Sequence, residues 1–385
     1  MFRCILYVLM ICPNVIWGQK INIRVFSGVD MNRISLVSMN GNCQIHTKEG
    51  FLTELNEGNQ LTLRLNSSKK IHISQDGRFL GISDSLFIYQ LNRLDYLKFA
   101  SPGNQFKSRK YQGDFKIFEN KGSILILNDI LLDDYLEGVL ASEAGVNLET
   151  EYYKVQAIIS RTYALNNVNK HSFEGFNLCD DVHCQAYFGH YEGESNGILN
   201  GVGYTQGMIL LDSSDHKFPV FFSANCGGQS SETDQIWNTS IPAYTSREDT
   251  FCIHTRQANW EKYIPQKEVF SFLSKTYFID VGNPDVADQI INFKQENRKT
   301  FFIHPSFGIP LRDIRSQFGL KSTYFNTEQV GDKILFKGKG FGHGVGLCQE
   351  GAMNMIKRGY KYPDVLIYYF TGAKVSNYRE HLIYR

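Results

Sequence analysis

Four short stretches of this chain gather residue types that can move protons, hold a metal or grip a polar ligand. The first centres on Glu143, at spacing seven, four and three from Leu136, Val139 and Leu140. That spacing puts its carboxylate in line with an apolar helical stripe. A carboxyl so placed is partly desolvated, which raises its pKa towards the range useful to a general acid. Spacing alone favours the plainer alternative, a structural ion pair, with Arg161 of the next helical segment as the available partner. The second stretch runs from Ser223 to Ser231, SANCGGQSS, behind the strand-like PVFF. Its two glycines let the backbone turn sharply against a ligand, while Asn225, Gln229 and the serines offer hydrogen bonds. Cys226 is either a nucleophile awaiting a base or a small buried thiol in a tight turn.

The third stretch, Gly338 to Gln349, carries five alternating glycines around His343. In an extended chain these glycines line one face and leave it bare, as the floor of a groove for a bulky ligand would be, with His343 on the other face. The Lys-Ser/Thr end of a phosphate loop is missing, and so is the dinucleotide fingerprint. The fourth stretch offers His171, Cys179, His183 and Cys184. Two cysteines and two histidines suit tetrahedral zinc, although the adjacent pair His183-Cys184 is geometrically awkward for it. A Cys179–Cys184 disulfide is the rival, and the sequence leaves the two readings open.

These residues need elements to hold them. From Gln19 to about Tyr111 short alternating runs such as INIRVFSG and QLTLRL read as β-strands, and Tyr111 to Asn128 has the pattern of a hairpin turning at Asn120-Lys121-Gly122. Asp134 with Glu137 fits a capping box, which predicts a helix from Asp134 to about Ala144-Gly145. A second helix is predicted from about Tyr152 to Asn167, and Gly203 to Ala224 reads as strand again. Residues 260–332 look like an inserted subdomain containing the helical KEVFSFLSK. The last part reads as a strand, the glycine-rich stretch, a helix from Gln349 to Arg358 and a final strand or helix. The expectation is an α+β protein: a β-rich N-terminal region over residues 19–110, then a mixed α/β domain over residues 111–385 with the insertion inside it.

Composition narrows the partners. The 385 residues carry a net charge of +1, too little to neutralise a run of phosphates, so nucleic acid is excluded as the main partner. Residues 1–18, with Arg3 ahead of an apolar run and small Gly18 at the end, have the layout of a secretory signal peptide, favoured over an N-terminal membrane anchor because the apolar run is short and Pro13 interrupts it; the expected location of the mature chain is the periplasm or cell envelope. Six cysteines lie beyond that leader, too few for a disulfide scaffold in a chain this long.

Taken together, YLEGVLASEAG, KVQAIISRTYAL, CDDVHCQAYFG, FFSANCGGQSSE and GKGFGHGVGLCQEGAM resemble, in the same order, the motifs of the stage II sporulation protein D family of peptidoglycan lytic transglycosylases. The resemblance covers the chain from about Tyr111 to its C-terminus. It implies the catalytic domain of that family, with Glu143 in the position of the catalytic glutamate. The implied reaction is cleavage between N-acetylmuramic acid and N-acetylglucosamine, with glycan strands stripped of stem peptides as substrate and a cell-wall amidase as partner. Gln156, Arg161, Tyr187, Ser223, Cys226, His343 and Gln349 lie in the matched motifs and become candidates for the substrate groove. His171, Cys179, His183 and Cys184 correspond to a zinc site of some relatives; four protein ligands make such a metal structural, and the chemistry itself requires no cofactor. Two rivals remain: a cysteine hydrolase of wall peptides with Cys226 as nucleophile and His343 as base, and a wall-binding protein that enhances an amidase without cutting glycan itself.

Overall fold

The computed structural model describes residues 18–101, 105–192 and 196–380, so the leader segment, apart from Gly18, lies outside the described residues. The protein is α+β and divides into two units.

The first unit holds the residues up to Tyr135 with Phe173–Cys184 and Phe188–His190. The alternating sequence folds as its polarity dictates: Ile21, Ile23 and Val25 of one strand, Ile34 and Leu36 of another, and Leu61 and Leu63 of a third are buried while their neighbours are not. Among the described residues twelve strands form this pattern between Lys20 and Leu131, and with Leu178–Cys179 they build a seven-stranded and a six-stranded sheet. Strand Lys20–Val25 pairs antiparallel with Ser123–Leu131 on one side and parallel with Leu178–Cys179 on the other. The hairpin of Asp114–Asn120 and Ser123–Leu131 turns through Lys121 and Gly122, both at positive φ, the conformation a two-residue hairpin turn requires. Because this hairpin lies in the same sheet as Lys20–Val25, the first unit continues past residue 110, where the sequence reading placed a boundary.

The second unit holds Leu136–Ser172, Gln185–Tyr187 and the chain from Tyr191. The helix carrying Glu143 spans Leu132–Ala144 and starts two residues before the predicted Asp134. Asp134 is not its cap, because its carboxylate is taken by Arg93. The second helix, Thr150–Asn166, buries Tyr152, Tyr153, Val155, Ile158 and Ile159 and matches its prediction to within two residues. Between Gly203 and Ala224 the strands are short, Met208–Leu211 and Phe222–Ser223, and the predicted start falls in a helix, Gly197–Tyr204.

The region read as an insertion has its own core. Strands Asn259–Pro265, Lys333–Lys339 and Phe325–Val330 form a three-stranded sheet in that order, covered by helices Gln266–Tyr277, Pro284–Ile291 and Leu311–Gln317. Trp260, Val269, Leu273, Phe302, Phe325 and Phe336 are buried together. Strand Lys333–Lys339 belongs to this sheet, so the subdomain extends beyond residue 332. Helix Gln349–Lys357, helix Tyr362–Tyr369 and strand Lys374–Asn377 complete the unit.

Candidate functional site

Glu143 sits in the last turn of its helix, above Leu136, Val139 and Leu140, which are fully buried. The apolar stripe read from the spacing is therefore real, and it leaves the Glu143 side chain half-buried. Tyr153 fixes the end of the helix: its hydroxyl donates to Gly145 O at 2.7 Å and accepts from Leu148 N–H at 3.2 Å. The carboxylate accepts one hydrogen bond, from the backbone N–H of Ala186 at 2.7 Å. Burial raises the carboxyl pKa above its usual range, and the Ala186 N–H only partly offsets this. Among the described residues no cation pairs with Glu143, and no second carboxylate perturbs it.

Arg161, the expected ion-pair partner, is elsewhere engaged. It is fully buried and donates to the carbonyls of Thr205 at 2.8 Å and Met208 at 3.2 Å, bracing its helix against the turn after Gly197–Tyr204. A guanidinium can be buried when its fork is satisfied in this way. Gln156 is equally interior: it accepts from the Tyr152 hydroxyl at 3.1 Å and donates to Ser160 at 3.3 Å. Tyr187 is fully buried. All three motif residues are therefore fully buried side chains.

Tyr152 was not singled out from the sequence, since a tyrosine in the first turn of an apolar helix reads as core. Its buried hydroxyl feels the Glu143 carboxylate and lies beside the Gln349 carboxamide, linking the first motif to the last. Gln349 Nε2 and Ser223 Oγ are both buried without reaching hydrogen-bond geometry with any protein group. They come from adjacent places, because strands Phe222–Ser223 and Leu347–Cys348 pair in parallel and Gln349 follows directly. Buried polar atoms of this kind call for a ligand or water.

The glycine-rich stretch does not form the bare groove floor expected of it. Gly340, Gly342, Gly344 and Gly346 all take positive φ, so the chain turns repeatedly instead of running extended. Their Cα faces are packed against protein: a Cβ on Gly342 would meet Ser223 Cβ at 2.7 Å, and one on Gly346 would meet Phe221 O at 2.2 Å. The glycines thus bring the backbone up to the Phe221–Ser223 strand. His343 is half-buried in this turn, with Nδ1 accepting from Val345 N–H at 3.0 Å and Trp237 5.1 Å away ring to ring. Burial and the cations Arg315 and Arg298 push its pKa down to about 4, leaving a neutral imidazole.

Cys226 is buried, and its thiol faces Asp249 at 3.3 Å and the Cys252 sulfur at 3.4 Å. Among the described residues no hydrogen bond joins Cys226 to His343, which leaves the nucleophile–base pair of a cysteine hydrolase unassembled.

In the first unit, Cys179, His183 and Cys184 converge. His183 Nδ1 lies 3.6 Å from the Cys179 sulfur and 3.8 Å from that of Cys184, so the adjacent pair does share one centre. Asp181 shapes this loop, accepting from His183 N–H through its side chain and from Cys184 N–H through its carbonyl. Neither cysteine is in a disulfide, and the nitrogen and sulfur donors fit zinc. His171 falls in the second unit, one residue before the chain leaves it.

Residues 120–211, which include Glu143 and the Cys179–Cys184 loop, match the family described as stage II sporulation protein. The chain is 27% identical to stage II sporulation protein D of Bacillus subtilis over 269 residues, 65% of this chain and 76% of that protein. It is 24% identical to an uncharacterised protein of Brachyspira hyodysenteriae over 280 residues, 70% and 73% of the two chains, and 22% identical to an amidase enhancer of Bacillus subtilis over 63% of this chain and 40% of that one. With its motifs in order on the helices and turns described above, the chain is similar to the stage II sporulation protein D family and carries the matched domain over residues 120–211.

Proposed function

We propose that this protein is an exported lytic transglycosylase that cuts the glycan strands of peptidoglycan with Glu143 as its single acid/base group. The matched sporulation-protein domain and the likeness to an amidase enhancer point to the cell wall. The observation that carries the finer reading is the Glu143 carboxyl itself: half-buried, raised in pKa, held by one backbone N–H and, among the described residues, without a second carboxylate that perturbs it. Hydrolytic glycosidases place two carboxylates about the bond, one of them for water or as nucleophile. One carboxyl suffices when the attacking group comes from the sugar. Protonated Glu143 gives its proton to the leaving oxygen; the resulting carboxylate then takes the proton of the muramoyl C6 hydroxyl, whose oxygen closes onto the anomeric carbon. The product is a 1,6-anhydro sugar, and water is not consumed. Ser223 Oγ and Gln349 Nε2 are the groups we assign to sugar hydroxyls, with half-buried His343 beside exposed Trp237 at the rim.

Glycan freed of stem peptides fits this role, with a cell-wall amidase as the partner that supplies it. Zinc at Cys179, His183 and Cys184 would brace the loop that carries them, a structural and not a catalytic role. Export rests on the leader sequence, and among the described residues no helix is long and apolar enough to cross a membrane.

Digestion of denuded glycan followed by mass spectrometry tests the proposal. Wild-type protein should release anhydro-muramoyl ends and Glu143→Gln none. Peptide fragments lost on Cys226→Ala would instead support the cysteine hydrolase. An inactive wild type that still binds glycan and stimulates an amidase would support the enhancer role.

A further inference from the structure

We propose a second metal site, buried in the second unit, in which Cys226, Cys252, Cys348 and Asp249 hold one structural zinc ion. Three segments distant in sequence bring these residues together, and their donor atoms all lie within 4.8 Å of one another. Zinc bound at about 2.3 Å to sulfur and about 2.0 Å to oxygen in a tetrahedron spaces its ligands by about 3.5 to 3.8 Å. The spacings of 3.4 Å between Cys226 and Cys252 and 3.3 Å from Cys226 to Asp249 Oδ2 need only a small expansion to reach that. Three sulfurs and one carboxylate suit a borderline-soft divalent cation, and four protein ligands close the site.

The surroundings are those of bound anions rather than of neutral thiols. Backbone N–H groups of Cys226 and Gly351 point at the Cys348 sulfur at 3.3 and 3.4 Å, and those of Gly227 and Gly228 at the Cys252 sulfur. The Tyr369 hydroxyl donates to Asp249 Oδ2 at 2.9 Å and Phe251 N–H to Oδ1 at 2.9 Å, which orients the carboxylate as the partners of metal ligands do.

Arg298 supplies the strongest argument. Its guanidinium is buried, donates to the carbonyls of Cys226 and Gln229, and faces all three sulfurs, yet among the described residues no carboxylate pairs with it. A buried cation needs a counter-charge. Three thiolates, one carboxylate and Zn2+ sum to a net charge of −2, which Arg298 and the N–H groups partly neutralise. Three thiols and an isolated Asp249 would leave both buried charges unmatched, and a Cys226–Cys252 disulfide would do the same with Cys348 left over. Binding releases the thiol protons to solvent.

This site is separate from the His183 cluster and independent of the glycan-cleavage reading. The test uses Co2+ as probe on the mature full-length chain carrying Cys179→Ser and Cys184→Ser, so that the first cluster cannot answer. One Co2+ per chain with thiolate-to-metal charge-transfer absorption is expected, and addition of Cys252→Ala should abolish the absorption. Glu143→Gln should keep it. Unaltered wild-type protein provides the check if the double variant fails to fold: Cys226, Cys252 and Cys348 should resist alkylation together and become reactive on chelation. Thiols that react without a chelator, or a Cys226–Cys252 cross-link in the denatured, unreduced chain, would overturn the proposal.

Discussion

Two buried carboxyls in the second unit are treated in opposite ways. Glu143 and Asp249 both have their pKa raised by burial, but Glu143 accepts a single N–H and remains half-open to solvent, whereas Asp249 is fully enclosed by Tyr369, Phe251 N–H and the Cys226 thiol. The first can exchange a proton with a ligand that arrives; the second is fixed among groups that never leave. Raised pKa alone therefore does not separate an open carboxyl from an enclosed one. What separates the two regions is how many hydrogen bonds the carboxyl already holds.

The largest effect should come from the open carboxyl. Glu143→Gln is expected to lower glycan cleavage by about 1000-fold or more, at the upper end for loss of a general acid, with little change in thermal unfolding. Retained cleavage would erase the distinction drawn between the two sites. The enclosed region should answer in stability instead. Arg298→Met removes the cation facing three sulfurs and is expected to cost about 3–5 kcal/mol in denaturant unfolding, as breaking a buried charge system does. A change below 1 kcal/mol would mean that this cluster carries no charge for Arg298 to balance. Gly351→Ala is a smaller perturbation of the same place. A Cβ there would meet Tyr369 Oη at 2.3 Å and Asp249 Oδ2 at 2.6 Å, so overpacking should destabilise by about 1–3 kcal/mol.

The contrast also explains what the sequence discloses. The alternation in INIRV and the stripe of Leu136, Val139 and Leu140 are local, and local periodicity is what strands and helices obey. The Cys179–Cys184 loop is equally local, and its residues do meet. The Cys226, Cys252 and Cys348 cluster depends on a parallel pairing of Ser223 with Cys348, a register that no neighbouring residue signals. Asp249 and Arg298 were invisible for the same reason. The glycine run misled because alternate glycines serve an extended strand and a series of tight turns alike; only the positive φ values separate the two. Arg161 misled because an arginine one helix away from a glutamate suggests a pair, while carbonyls at Thr205 and Met208 satisfy it instead.

The subtlest distinction between the two carboxyls lies in pH. Glu143 is most useful as an acid while protonated, and its folded pKa stands above the ordinary 4.5. Cleavage limited by proton donation should therefore fall as pH rises through that raised value, giving the alkaline limb of the kcat/KM profile. The same shift links to stability. Below 4.5 the carboxyl is neutral in both folded and unfolded chains, and it adds nothing against glutamine. As pH rises towards the folded pKa the unfolded chain ionises first, so the stability of wild type relative to Glu143→Gln should decline across that window and then level off. Parallel pH titrations of unfolding for the two proteins measure this directly. A difference independent of pH would mean that the Glu143 carboxyl is as well solvated in the fold as in the open chain, and that its partly desolvated position plays no part in holding the proton.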